Sequence, residues 1–367
     1  MPSTIRFLRQ ALRPRDDVVV REETTYRRGT ETRAASLYRP AARTGSALPG
    51  WVALHGLTRR GRDHESLDTF ARSLAASGTL VMVPDIPEWR RLHVAPGASM
   101  ATIRSAVSAL DDHPDTARGR VGLIGFSFGG TQALMASTAP ELEGRVAAVA
   151  SWGAYADLER AARYMFLGEH ELDGDAYHQP PDPYGRWILA GNYLMAVPEL
   201  PGARAAAEAL LGLAREVGQR KLVAWDPATD PLKVEARSAL QRRARELFDL
   251  LAPPAGTRYG PEQRERVAGL VQWMSVAAVE KEPLLDPGPY LPRVRVPVFL
   301  AHGREDRLMP WTELVRLRRA LPAGRVRHAL VTSLFAHSFR EKRLPSPGMA
   351  VEAVRFVRAI HRMVHLV

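Results

Sequence analysis

Five short apolar runs, separated by stretches of a different periodicity, limit this chain more than any other feature. They lie at 51–54, 79–83, 121–125, 146–151 and 296–301. A continuous apolar run of this length is what a strand covered on both faces requires, because neither set of alternating side chains meets water. Between the runs, Leu67, Phe70, Ala71 and Leu74, then Met100, Ile103, Val107 and Leu110, then Leu314, Leu317 and Leu321 recur at helical spacing. Strand and helix in alternation predict a mostly parallel central sheet flanked by helices, since parallel neighbours need a crossover connection. Asp63 and Gly78 read as the start and stop signals of the first crossover helix.

Residues 18–26 and 35–38 read as an opening pair of exposed strands around the turn Arg28-Gly29-Thr30. Residues 326–332 read as a late strand, and Ala353, Val357, Ile360 and Val364 as one face of a final helix. From 153 to 291 no comparable strand signal is present. Helical patterns near 156–167, 202–217, 233–252 and 262–279 follow one another, separated by turns such as Gln179-Pro180-Pro181-Asp182-Pro183. The expected organisation is an N-terminal core part over 1–152, a helical cap or lid inserted at 153–291, and a C-terminal core part over 292–367.

At 367 residues the chain is long enough for one large core with such an elaboration. It contains no Cys, which removes disulfides, thiolate metal sites, iron–sulfur clusters and a cysteine nucleophile, and leaves oxygen nucleophiles. Lys and Arg exceed Asp and Glu by 51 to 40, yet the charges are scattered. Arg27-Arg28, Arg242-Arg243 and Arg340/Lys342/Arg343 read as solvated faces, so no nucleic-acid partner is expected. No stretch is apolar for long enough to span a membrane or to form a secretory signal, and a cytoplasmic location is the expectation. Oligomeric state is not legible.

Gly125-Phe126-Ser127-Phe128-Gly129 matches G-x-S-x-G and lies between an apolar run and a helical pattern. In that setting a serine sits on a sharp strand-to-helix turn with its hydroxyl above the sheet edge. A hydroxyl needs a base to take its proton and an acid to orient that base. Asp306 follows the run ending at Ala301, in a loop at the carboxyl end of a strand where parallel sheets build their sites; Glu305 and Asp157 are its competitors. His337 follows the last strand on the same edge and is the candidate base, ahead of His328, His361 and His365.

The order Ser127, Asp306, His337 resembles the α/β-hydrolase superfamily over about residues 15–152 and 292–366. The resemblance implies an oxyanion hole from the main-chain amides of Phe128 and Leu57, entered through His55-Gly56. It differs from the lipases with a Gly-Gly-Gly run at that loop, where this chain has His55-Gly56-Leu57-Thr58, and from dehalogenases, epoxide hydrolases and dienelactone hydrolases, whose nucleophiles are aspartate or cysteine. The implied activity is carboxylesterase-like: hydrolysis of a small-molecule ester, with an apolar acyl group or a small ester expected, through an acyl-enzyme and with no metal or organic cofactor. Amidases, peptidases and acyltransferases use the same three groups, and a ligand-binding protein of this fold is the non-catalytic alternative. Phe126, Trp152 and Tyr155 are the candidate substrate-binding side chains. Arg59 and Arg60, just past the oxyanion loop, read either as solvent-exposed or as selectors of an acidic substrate.

Overall fold

A computed structural model describes residues 2–42, 47–334 and 347–367. Helix α1 (Pro2–Leu12) precedes a hairpin of β1 (Val19–Arg28) and β2 (Glu31–Pro40), which turns at Gly29 with φ +59°. The regular part follows as β3 (Leu48–Leu54), α2 (Glu65–Ala76), β4 (Leu80–Pro84), the short α3 (Pro87–Arg90), α4 (Pro96–Asp111), β5 (Thr116–Phe126), α5 (Phe128–Ala136) and β6 (Val146–Trp152). A long segment then carries α6 (Leu158–Leu167), a hairpin of β7 (Glu169–Leu172) and β8 (Asp175–His178), α7 (Pro183–Tyr193), α8 (Ala203–Arg220), α9 (Asp230–Ser238), α10 (Arg242–Leu251) and α11 (Pro261–Lys281). The chain returns to the core as β9 (Val298–Gly303), α12 (Thr312–Ala320), β10 (Val326–Thr332) and α13 (Pro347–Val364).

The main sheet has eight strands in the order β1-β2-β4-β3-β5-β6-β9-β10. Strand β2 is antiparallel to both neighbours; every pairing from β4 across to β10 is parallel. Both faces are buried, as the apolar runs require. In β3, Val52 and Leu54 join one cluster with α4, α5 and the long segment, while Trp51 and Ala53 join the other beneath α1, α2 and α13. The long segment thus shares one continuous apolar cluster with a sheet face. No helix among the described residues is long and apolar enough to cross a membrane.

Four local readings change. Residues 35–38 are buried, because β2 lies inside the sheet between β1 and β4 with Leu37 and Tyr38 facing opposite clusters. The helix expected over 233–252 is broken into α9 and α10. The insertion, expected to be all helical, contains the β7–β8 hairpin, whose turn places Asp173 and Gly174 at φ +56° and +89°; an Asp-Gly pair suits a turn needing two positive φ values. Asp63 does not cap α2: His64 holds that position, and Asp63 is ion-paired with Arg21 at 2.8 Å.

Candidate active site

Strand β5 ends at Phe126, α5 begins at Phe128, and Ser127 between them is held at φ +56°, ψ −128°. A non-glycine residue there is strained, and such strain persists only where its surroundings enforce it. Here the enforcement is close packing of main chain. A Cβ on Gly125 would lie 2.1 Å from the Gly129 carbonyl oxygen, and one on Gly129 would lie 2.4 Å from the His55 carbonyl oxygen. The Ser127 N–H donates to the Trp152 carbonyl at 2.7 Å, and the Gly153 N–H donates to the Ala301 carbonyl at 2.9 Å. These bonds tie the carboxyl ends of β5, β6 and β9 together beside the bend.

The strand order, the antiparallel second strand and a strained serine between a central strand and its helix decide the architecture. The chain has the α/β-hydrolase fold. No family model and no curated protein matches it. Among solved structures it is similar to brefeldin A esterase, described as a bacterial homologue of human hormone-sensitive lipase, with a TM-score of 0.48 and 19% identity over 95% of this chain and 75% of that one. It is similar also to 2,6-dihydroxy-pseudo-oxynicotine hydrolase, with a TM-score of 0.46 and 15% identity over 98% and 71% of the two chains. For an acylaminoacyl peptidase of Pyrococcus horikoshii the values are 0.47 and 12%, over 90% of this chain and 39% of the peptidase, so the chain spans about two fifths of the length of that relative.

In this α/β-hydrolase fold the loop after β3 lies against the serine: a Cβ on Gly56 would be 3.2 Å from the Ser127 Cβ and 3.7 Å from its Oγ. Leu57 is the next residue. Phe128 is the first residue of α5, where an N–H has no partner within the helix. Its ring is buried edge-on against Trp89 at 5.3 Å, and Trp89 packs in the same way against His55.

His55 is buried, and its Nδ1–H donates to the Gly56 carbonyl at 2.7 Å. Burial pushes its pKa down to about 4. The unfolded chain therefore takes up this proton near pH 6.5 while the folded one does not, so stability is full above about 6.5 and falls toward pH 4. The full window is worth about 3 kcal/mol. Urea midpoints measured from pH 7 to 4.5 should fall with a slope that His55→Gln flattens; an unchanged slope would place the titrating group elsewhere.

Asp306 is fully buried in the loop after β9, whereas neighbouring Glu305 is exposed. Its Oδ1 accepts the N–H groups of Leu308 at 2.8 Å and Met309 at 3.0 Å, which fix the orientation of the carboxylate. His302 Nε2 lies 3.6 Å from the other oxygen, Oδ2, and donates to the Met309 carbonyl at 3.0 Å. Asp157 is committed differently: it caps α6 by accepting the Arg160 N–H at 2.8 Å, and its side chain is 37% exposed. Strand β10 ends at Thr332, paired in parallel with Gly303, so the chain leaves the sheet on the edge that carries Ser127 and Asp306. His337 lies outside the described residues.

The aromatic candidates are placed in packing. Phe126 contacts Phe70 edge-on at 5.0 Å and lies 6.2 Å from Trp152, which is 2% exposed and packs on Phe299 and Phe356. Tyr155 is buried and donates its hydroxyl proton to the Leu285 carbonyl at 3.0 Å. Of the three, only Phe126 keeps appreciable exposed surface. Residues that the sequence does not single out hold the loop carrying Asp306. The Tyr164 hydroxyl donates to the Asp306 carbonyl at 2.6 Å, and the Asp182 N–H donates to the Arg307 carbonyl at 2.8 Å. Buried Glu313 accepts the Ala156 N–H at 2.8 Å and the Arg160 guanidinium at 3.1 Å, joining α12 to the start of the long segment. Burial pushes the Glu313 carboxyl upward against the pull of Arg160. No local pattern marks these contacts, because their partners are more than a hundred residues apart.

Proposed function

We propose that the chain is a serine hydrolase of carboxylic esters, with Ser127 as nucleophile, His337 as base and Asp306 as the acid that orients it. The observation that carries this reading is Ser127 held at positive φ on the β5–α5 bend with the Gly56–Leu57 loop packed against it. Ser127 Oγ attacks the ester carbonyl carbon as its proton passes to His337, and the amides of Leu57 and Phe128 receive the developing oxyanion. The carbon–oxygen bond to the alcohol then breaks, and the departing oxygen takes the proton from His337. Water attacks the acyl-enzyme, giving a proton to the histidine; the acid leaves and Ser127 regains its hydrogen. Phe126 is the side chain assigned to the acyl group.

Short-chain nitrophenyl esters test the activity, and two acid variants test the assignment. Asp306→Asn should lower kcat by roughly 10⁴-fold, because the imidazole loses the partner that holds its tautomer. Asp157→Ala should remove a helix cap, costing about 1 kcal/mol of stability, while turnover stays within about threefold. The reverse pattern of kinetic losses would transfer the acid role to Asp157.

A further inference from the structure

The first turn of α7 touches both the loop after β9, which carries Asp306, and the loop after β3, which carries Arg59. On one side, the Asp182 N–H is bonded to the Arg307 carbonyl, and a Cβ on Gly185 would lie 3.0 Å from the Leu308 side chain, so this turn is seated on the acid loop. On the other side it meets Arg59. The point where a Cβ on Gly218 of α8 would stand is 3.0 Å from the Tyr184 hydroxyl oxygen and 3.3 Å from Arg59 Cγ. Glycine at 218 leaves the room that these two groups fill.

Arg59 shares with Arg62, Arg90, Arg186 and several other arginines a buried Nε that has no hydrogen-bond partner; what sets it apart is its place in the loop after β3. Its Nη1 donates to the Arg90 carbonyl at 3.1 Å, but its Nε is buried without a hydrogen-bond partner, and no carboxylate among the described residues pairs with it. Its neighbours differ in having carboxylate partners: Arg60 pairs with Glu65 at 3.0 Å and Arg90 with Asp85 at 3.1 Å. Arg215 of α8 adds a second positive charge; burial first, and the charge of Arg59 second, push its pKa below the usual arginine value. Burial, reinforced by Asp182, keeps the Tyr184 hydroxyl protonated and hence a donor. A half-buried guanidinium with no carboxylate of its own, beside a phenol and a second cation, suits a carboxylate ligand.

We propose that Arg59, with the Tyr184 hydroxyl beside it, receives a carboxylate carried by the substrate, so that the preferred esters are hemiesters of short dicarboxylic acids. Arg59 lies two residues beyond Leu57, a main-chain span of at most about 7 Å, so the bound carboxylate sits a few carbons from the scissile carbonyl. The inference rests on the serine-hydrolase reading and specifies its substrate class.

The test compares kcat/KM for the 4-nitrophenyl hemiester of glutaric acid with that for 4-nitrophenyl butyrate, which lacks the charge. The intact chain should favour the hemiester by about tenfold or more, the range expected for a charge-assisted bond. That ratio should fall to about 1 in Arg59→Met and keep an intermediate value in Arg59→Lys, which retains the charge but not the two-pronged donor. Calorimetric titration with glutarate should show binding to the wild-type chain that Arg59→Met loses. Butyrate turned over as well as the hemiester by the wild-type chain, or a preference unchanged in both variants, overturns the inference and leaves the hydrolase reading intact. Absence of turnover of both esters together with absence of phosphonate labelling at Ser127 removes that reading, and the inference with it.

Discussion

Ser127→Ala is expected to abolish ester hydrolysis, lowering kcat by roughly 10⁵- to 10⁶-fold while the protein remains folded. The size of the loss follows from the proposed chemistry: without Oγ no acyl-enzyme would form, and only the amides proposed to bind the oxyanion and substrate positioning would remain to assist water. The innocence of the substitution toward folding follows from the structure. The Ser127 side chain does not cap α5, and its strained φ of +56° is imposed by the surrounding main chain, which alanine leaves in place. Thermal unfolding and ester kinetics measured on the same preparation separate the two effects. A variant that keeps measurable turnover at the wild-type level would assign the activity to another group.

Gly125→Val is expected to produce the largest loss of stability, more than about 4 kcal/mol, because the clash it creates is between two stretches of main chain. A Cβ at 125 meets the Gly129 carbonyl oxygen at 2.1 Å and its carbon at 2.4 Å, and no rotamer change relieves either. Strand β5 cannot retreat, since it is paired on both sides by β3 and β6. Gly144→Ala supplies the comparison: its φ is +77° with nothing within 4 Å of the added carbon, so only backbone strain of about 1–2 kcal/mol applies. Urea unfolding of the two variants should rank them in that order. Equal midpoints for Gly125→Val and the wild type would mean that β5 and α5 do not pack as closely as described.

The parts of this molecule legible in sequence are those whose signal is local. Strands β3 to β6 and β9 announce themselves because burial on both faces forbids polar alternation, and the bend at Ser127 because close main-chain approach demands Gly125 and Gly129. The Asp173-Gly174 pair is a local hairpin signal, but the strands it joins are only four residues each and mostly polar, so they carry no apolar run. The Pro-rich stretch before α7 similarly carries a start signal, Asp182 as cap with Pro183 in the first turn, beneath its appearance as a loop. Burial of Ala35 to Tyr38 was not readable, because it depends on which strand β2 pairs with. The same holds for the site: Ser127 and Asp306 stand out by motif and position, whereas Tyr164, Asp182 and Tyr184 acquire their roles only when the long segment folds back over the sheet edge.

The central claim is that the Ser127 hydroxyl is the attacking group. Peptide mapping by mass spectrometry after treatment of the folded protein with a fluorophosphonate tests it without reference to the natural substrate. The account predicts one adduct, on the peptide containing Ser127, formed in step with loss of esterase activity and absent after heat unfolding. Labelling at a different residue, or full inactivation with Ser127 unmodified, would contradict it.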